Sequence, residues 1–542
     1  MKINLHLKGA LCLIMIMAIA ISCHDEIEDI SPTPLSLDDQ LAQEGLTRTK
    51  LGEQLENPYS IENMTLALDT LKKILNGVNP TGRSLADEIT LEATDLYVRF
   101  LPRDTTQYDE MMKDTSMIYY EYPLDYEIEQ QGDVYIDTTV AEGQIGWQYT
   151  VVKPDFIISD TLTYEILSEL FIPENHPDYV EEEDDEEVSN GRIKSMSQLL
   201  GQLETMSLYL SDNLEEEEKQ QIANGRVTGW FKGKSKWRPR GRISIQDTEL
   251  GWRPMQGVKV IARRWFTTKT GYTNSNGYYS CGRFRRKVNY SIKWERHDFS
   301  IREYRGRGFN GQAKINGPKR RGDWNLDIRK HTKDWFHGTI FQATVHYYYG
   351  NIRGLRRPPE NSRWKPQMKI SARNHSETAH GSYNQARRFL GIKTPIRIYR
   401  NDRDSDEIYA TTIHELAHAS HWRMSRHDFN NGMFKVLESW ATGVQWELTR
   451  MKYRRYLGIE RSTGFYTSVV ADMIDGPATE QTRINHGYID ADEVDNVSGY
   501  KIRQLEDALV GVRTWNEWRD NIKRKYNNST KDNLNDLFAA YE

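Results

Sequence analysis

His414-Glu415-Leu416-Ala417-His418 sets two imidazoles four residues apart, with a carboxylate beside the first. On a helix, positions i and i+4 share a face, so both histidines can present a nitrogen to one metal ion. Glu415 would sit about 100° around the helix from His414. That is beside a metal rather than on it, where a general base can take a proton from a metal-bound water. Ile413, Leu416, Ala417 and Trp422 surround these positions with apolar side chains, as a buried helix needs. The competing reading is a surface helix carrying two exposed histidines.

Catalytic zinc commonly takes three protein ligands and keeps one position for water. His421 and His427 follow the motif closely, and Glu447 lies further on. Metzincins continue with a glycine three residues after the second histidine and a third histidine three later. His421 and Met424 occupy those positions, so that pattern fails. Glu438 is the better third ligand. Val436, Leu437, Trp440, Val444 and Leu448 give its segment a helical apolar stripe, and Asn430-Asn431-Gly432 supplies a turn that would let the two helices pack antiparallel. Glu447, on the same helix, reads as a surface salt bridge.

An H-E-x-x-H followed at this distance by a helix-borne glutamate resembles the gluzincin family of zinc peptidases, over residues 405–450. The resemblance implies a Zn2+ site of His414, His418 and Glu438, with Glu415 as general base for peptide hydrolysis by zinc-activated water. It also implies a downstream Tyr or His to stabilise the oxyanion, for which Tyr466, His486 and Tyr488 are available. Thr442 stands where thermolysin-like members often place an aspartate. Glu438-Ser439-Trp440-Ala441 is nearer in style to aminopeptidase-like members but lacks their asparagine before the glutamate.

Such a site needs elements to hold it. The stretch GTIFQATVHYYYGNIRGL reads as a buried helix, PQMKISARN as a strand, and TPIRIYR (394–400) as another strand just before the histidine helix. In zincin-type proteases a backing helix, a sheet and an edge strand come in this order, and the edge strand pairs with substrate backbone. The C-terminal stretch VSGYKIRQLEDALVGVRTWNEWRDNIKRKY reads as amphipathic helix.

Upstream, GRVTGWFKG, GRISIQDTE, GVKVIARRW, GYYSCGRF and NYSIKWER are short strands with turns between them, Asn276-Gly277 among the turns. Their order resembles a carboxypeptidase-regulatory-like, transthyretin-type β-sandwich. Further upstream, ENMTLALDTLKKIL has helical spacing, whereas TDLYVRFLP and WQYTVVKPDFII read as strands. No catalytic constellation is legible there.

The fold class expected is therefore multidomain α+β. It comprises an N-terminal mixed α/β accessory region (51–178), an acidic linker and helix (179–223), a central all-β sandwich (224–305) and a C-terminal zincin-like α+β metallopeptidase domain (330–542). Lys2 and Lys8 precede a short apolar run ending in Ala20-Ile21-Ser22-Cys23, which reads as a lipoprotein signal (1–23). Cys23 would carry the lipid, residues 24–50 would tether the chain, and the site would lie outside the cytoplasm at the outer membrane or cell surface. With Cys12 removed and Cys23 lipidated, only Cys281 remains, which excludes an internal disulfide framework and a cysteine-based zinc cluster.

The 542 residues carry a net charge of only -6, with acidic residues dominating 24–220 and basic ones 224–375. Basic residues interleaved with Trp and Tyr invite a nucleic-acid reading, but an exported lipoprotein makes nucleic acid an unlooked-for partner. An anionic glycan, lipopolysaccharide or the chain's own acidic half fits better, alongside a protein or peptide substrate and the membrane. The alternative function is a non-catalytic surface binding or assembly lipoprotein that uses the sandwich and its basic surface.

Overall fold

Helix Ile61–Val78 buries Met64, Leu68 and Leu71, spaced four and three apart, while Leu66 points to solvent. This face packs on helix Met196–Leu210. Beside the helices lies an antiparallel sheet with Asp95–Leu101 between Gln148–Val152 and Thr163–Leu170. The expected strand WQYTVVKPDFII stops at Val152, just before Lys153-Pro154, because proline cannot donate to a ladder. The computed structural model describes residues 39–542 apart from 40, 43–44, 79–84, 142, 158, 160, 182–192, 194, 224–234, 305–309, 363–365, 375–379, 384–394, 457–463 and 476–495. The expected signal, Cys23, most of the tether and of the acidic run, and the strand GRVTGWFKG lie outside the described residues, as do His486 and Tyr488.

Two four-stranded sheets follow. In one, Arg240–Asp247 is flanked by Tyr278–Ser280 and Leu326–Ile328, with Gly251–Pro254 also paired to it. The other runs Lys314–Arg320, Val288–Lys293, Lys259–Arg264, Thr267–Tyr272. Val288, Tyr290 and Ile292 alternate inward, as a half-buried strand requires. Gly277 takes φ +80 in the Asn276-Gly277 turn. Strands Lys314–Arg320 and Leu326–Ile328 lie beyond residue 305, and Phe299–Tyr304 leaves these sheets for another. Alternation marks a strand but does not name its partner.

The third large sheet is the one beside the site. Its order is Asn310–Gln312, Phe299–Tyr304, Met368–Arg373, Ile396–Tyr399, Gly381–Tyr383, with the middle three parallel and the outer two antiparallel to their neighbours. Ile396–Tyr399 therefore has a partner on each side, and among the described residues the edge belongs to Gly381–Tyr383. Helix Lys333–Tyr349, capped by the Thr332 hydroxyl on the Trp335 amide (3.1 Å), packs on Met368–Arg373 and Phe299–Tyr304.

The C-terminal stretch forms separate helices, Ile502–Asp507 and Trp515–Lys525, because the chain turns through Gly511 at φ +80. Trp518 meets Trp440 edge-on at 6.4 Å.

The whole is a mixed α and β chain with several sheets, in which Leu41–Glu542 holds together as one unit. One apolar core runs without a break from Ile243 through the site helices to Tyr541, so strands of the two four-stranded sheets and the site share an interior. A second core, around Leu71, Trp147 and Leu203, draws in Phe266 from the Lys259–Arg264 hairpin.

Basic residues of the middle stretch meet the acidic half directly: Lys269 with Glu174 (2.6 Å), Lys333 with Asp133 (2.5 Å), Lys314 with Glu121 (3.6 Å) and Arg286 with Glu218 (3.1 Å). Cys281 is buried, and burial pushes its thiol up to about 12, which makes it inert. Among the described residues no helix is long and apolar enough to cross a membrane.

Candidate metal centre

The histidine helix spans Ser405–Met424 and is buried over most of its circumference. Its start is fastened twice. The Glu407 carboxylate accepts from the Asp404 amide (3.0 Å), and Ser405 and Thr248 exchange amide-to-hydroxyl bonds of 2.9 and 3.0 Å. Thr248 lies in the turn between Arg240–Asp247 and Gly251–Pro254, so a hairpin of the first four-stranded sheet caps the site helix. The glutamate helix, Phe434–Lys452, buries Val436, Trp440, Val444 and Leu448 on the expected stripe. A short helix, Arg426–Asn431, joins the two in place of a simple turn. The two long helices pack together, and Gly443 lets Val469–Ile474 approach: a Cβ there would lie 2.2 Å from the Val470 Cβ.

This packing brings His414, His418 and Glu438 together, their ligand atoms all within 4.8 Å of one another. His414 Nε2 is 3.0 Å from Glu438 Oε2 and 3.1 Å from His418 Nε2, and His418 Nε2 is 3.3 Å from Glu438 Oε2. Ligands held at 2.0–2.1 Å around a tetrahedral zinc stand ~3.3 Å apart. The three spacings match that edge length.

The proton inventory argues the same way. Gln445 donates through Nε2 to the Tyr456 hydroxyl (2.6 Å), which leaves its Oε1 to accept from His414 Nδ1 at 2.9 Å. The His414 proton is thereby placed on Nδ1, and Nε2 is left as a lone pair aimed at a carboxylate and a second imidazole. Among the described residues the His418 Nδ1 has no partner to fix its tautomer, so its Nε2 can also turn a lone pair inward, and the donor set of two nitrogens and one oxygen suits Zn2+.

Glu415 lies beside this group and is buried with it; all four residues remain 6–8 % exposed. Burial pushes its carboxyl up to about 7, with Glu438 adding to the rise and His414 opposing it. The edge strand passes against it. A Cβ on Gly381 would stand 2.8 Å from Glu415 Oε1 and 2.8 Å from Thr411 Cγ2. Only glycine lets the strand run this close to the carboxylate. The Tyr466 ring lies 6.2 Å from the His414 ring, its phenol raised by burial and by Glu438 and Glu415. A phenol held protonated is a hydrogen-bond donor.

The rival ligands stand elsewhere. His427 is exposed and contacts Asn431. His421 is buried edge-on against Phe429, which pushes it down to about 3 and keeps it neutral, and it is not part of the converging group. Glu447 pairs with Arg353 at 2.8 Å. Thr442 is buried and its hydroxyl makes no hydrogen bond.

Sequence reasoning missed Gly381, Gln445 and Tyr456. A glutamine one helical turn pair beyond Glu438, on the same face, was the one available signal for Gln445. No known protein family matches this chain, and no curated protein matches it.

Proposed function

We propose that this protein is a zinc-dependent peptidase, exported and held by lipid on Cys23 at the outer membrane or cell surface. The observation that carries the reading is the convergence of His414, His418 and Glu438 at tetrahedral spacing, with Glu415 alongside. Support for a zincin-type arrangement comes from the backing helix, the largely parallel sheet, and the antiparallel edge strand against the histidine helix. The two preceding four-stranded sheets fit the transthyretin-type sandwich, here serving as the frame that caps the site helix.

Zinc bound there would lower the pKa of water toward about 7 and polarise a carbonyl. The chain supplies the rest. Glu415 takes the proton of the attacking water and returns it to the leaving amine. The edge of Gly381–Tyr383 offers backbone groups to an extended peptide, which sets the scissile bond beside Glu415. The Tyr466 hydroxyl donates to the developing oxyanion.

The test uses the purified protein, its metal content and a mixture of peptides. The expected result is one zinc per chain and peptide cleavage that Glu415→Gln reduces by about 100- to 10,000-fold with zinc retained. A chain that binds no zinc, or a Glu415→Gln variant that cleaves undiminished, overturns the proposal.

A further inference from the structure

From residue 330 onward, the large apolar side chains exposed to solvent among the described residues are Tyr349, Met433, Phe434, Phe465, Tyr466 and Val510. Four of these are consecutive in space beside the metal group. Phe434 lies one helical turn before Glu438, on the same face of the glutamate helix. Its ring meets Phe465 edge-on at 5.2 Å, and Tyr466, next in the chain, lies against His414. Exposures are 46 % for Met433, 54 % for Phe434, 53 % for Phe465 and 37 % for Tyr466.

Scattered apolar residues on a surface need no explanation, but a connected group at the rim of a polar site does. The wall is also fixed in place. The Ser439 hydroxyl, next to Glu438 and fully buried, donates to the Phe465 carbonyl at 3.1 Å and receives a bond from Thr467 at 2.8 Å. The Met433 amide donates to the Arg513 carbonyl at 2.7 Å. Lys435, the charged neighbour of Phe434, turns the other way, onto the Tyr541 carbonyl and the Trp515 ring. The rings thus hold a set distance from the metal ligands and leave their apolar faces to the solvent.

We propose that Met433, Phe434, Phe465 and Tyr466 form the specificity subsite of this centre, which receives a large apolar side chain, of the phenylalanine, leucine or methionine class, from the residue flanking the scissile bond. This rests on the peptidase reading. The occupant follows from continuity: a peptide whose carbonyl reaches the metal group has its adjacent side chain within reach of this wall, which among the described residues is more exposed than the Phe429 and Tyr383 rings on the His418 side.

The experiment measures binding of two metal-directed probes to the zinc-loaded full chain, acetohydroxamate and 3-phenylpropionyl hydroxamate, beside cleavage of a peptide pool. The phenyl probe is expected to bind about 10- to 100-fold tighter, a ratio that Phe434→Ser with Phe465→Ser brings close to one while zinc content holds. Cut sites should be enriched in a large apolar residue next to the bond. Should the double variant lose its zinc, Phe465→Ser alone, at a half-exposed ring, is expected to lower the ratio in part. Equal affinities for the two probes in the zinc-bound protein, a ratio unmoved by the substitutions, or cuts beside charged or small residues overturn the subsite and leave the metal centre standing. A chain without zinc overturns both.

Discussion

Gln445 Oε1 accepts a hydrogen bond from His414 Nδ1 at 2.9 Å, and this contact decides which nitrogen of His414 faces Glu438. A neutral amide does here what a carboxylate often does behind a metal-bound imidazole. Gln445→Ala should weaken zinc binding about 10- to 100-fold, while Gln445→Glu, which keeps an acceptor, should stay close to the parent. Competition with a zinc chelator of known affinity reads both.

Gly381 and Glu415 are packed so tightly that a methyl group cannot be added without moving one of them. Gly381→Ala should displace the Glu415 carboxylate or the edge strand and cost about 100-fold in kcat/KM, the scale of a 1 Å misplacement of a reacting group. Zinc content should be unchanged, since neither residue is a ligand. Parent-like turnover would show that the strand yields freely.

Asp247, at the end of strand Arg240–Asp247, ties that strand's sheet to the end of the glutamate helix. Its Oδ2 accepts from the buried Tyr453 hydroxyl at 2.6 Å and pairs with the partly buried Lys452 at 3.3 Å. Asp247→Ala leaves Lys452, already pushed down to about 8 by burial, with the Gln342 amide oxygen but no counter-charge, and should lower stability by about 1–3 kcal/mol. Urea unfolding followed by tryptophan fluorescence would measure it.

Arg286 is fully buried between Glu204 (3.6 Å) and Glu218 (3.1 Å) and joins helices Met196–Leu210 and Glu216–Ala223 to the chain entering strand Val288–Lys293. Burial raises the Glu204 carboxyl, yet Arg286 and the Tyr59 hydroxyl outweigh it, so its folded pKa lies below the usual value. A carboxyl depressed on folding contributes its full stability above the unfolded pKa of about 4.3 and loses it as the pH falls through the folded value. Arg286→Met should therefore cost about 3–5 kcal/mol near pH 7, with a gap to the parent that narrows below pH ~4 as the carboxyls protonate. Urea midpoints at both pH values check the sign.

Much of the site was legible because it is built on helices. The i, i+4 histidines, the apolar stripe around Glu438 and the strong periodicity of both segments depend on local spacing alone, and the helices formed where that spacing pointed. The edge strand Gly381–Tyr383 was not legible: three residues carry no alternation, and its role comes from pairing with Ile396–Tyr399 across intervening chain. The break at Gly511 and the short helix Arg426–Asn431 were hidden for a related reason, since an amphipathic pattern says which face is buried but not where the chain must turn to bury it.

The sequence by itself determined the chemistry on offer: two imidazoles and a carboxylate on one helix, a second carboxylate on the next, and strands upstream. Only the tertiary structure decided which groups converge. The His414 tautomer depends on Gln445, 31 residues on; the cap of the histidine helix comes from Thr248, 157 residues back; and the helix ends are joined through Asp247 and Tyr453, 206 residues apart. Contacts over such separations are fixed by how a shared core closes, and local pattern carries no record of that.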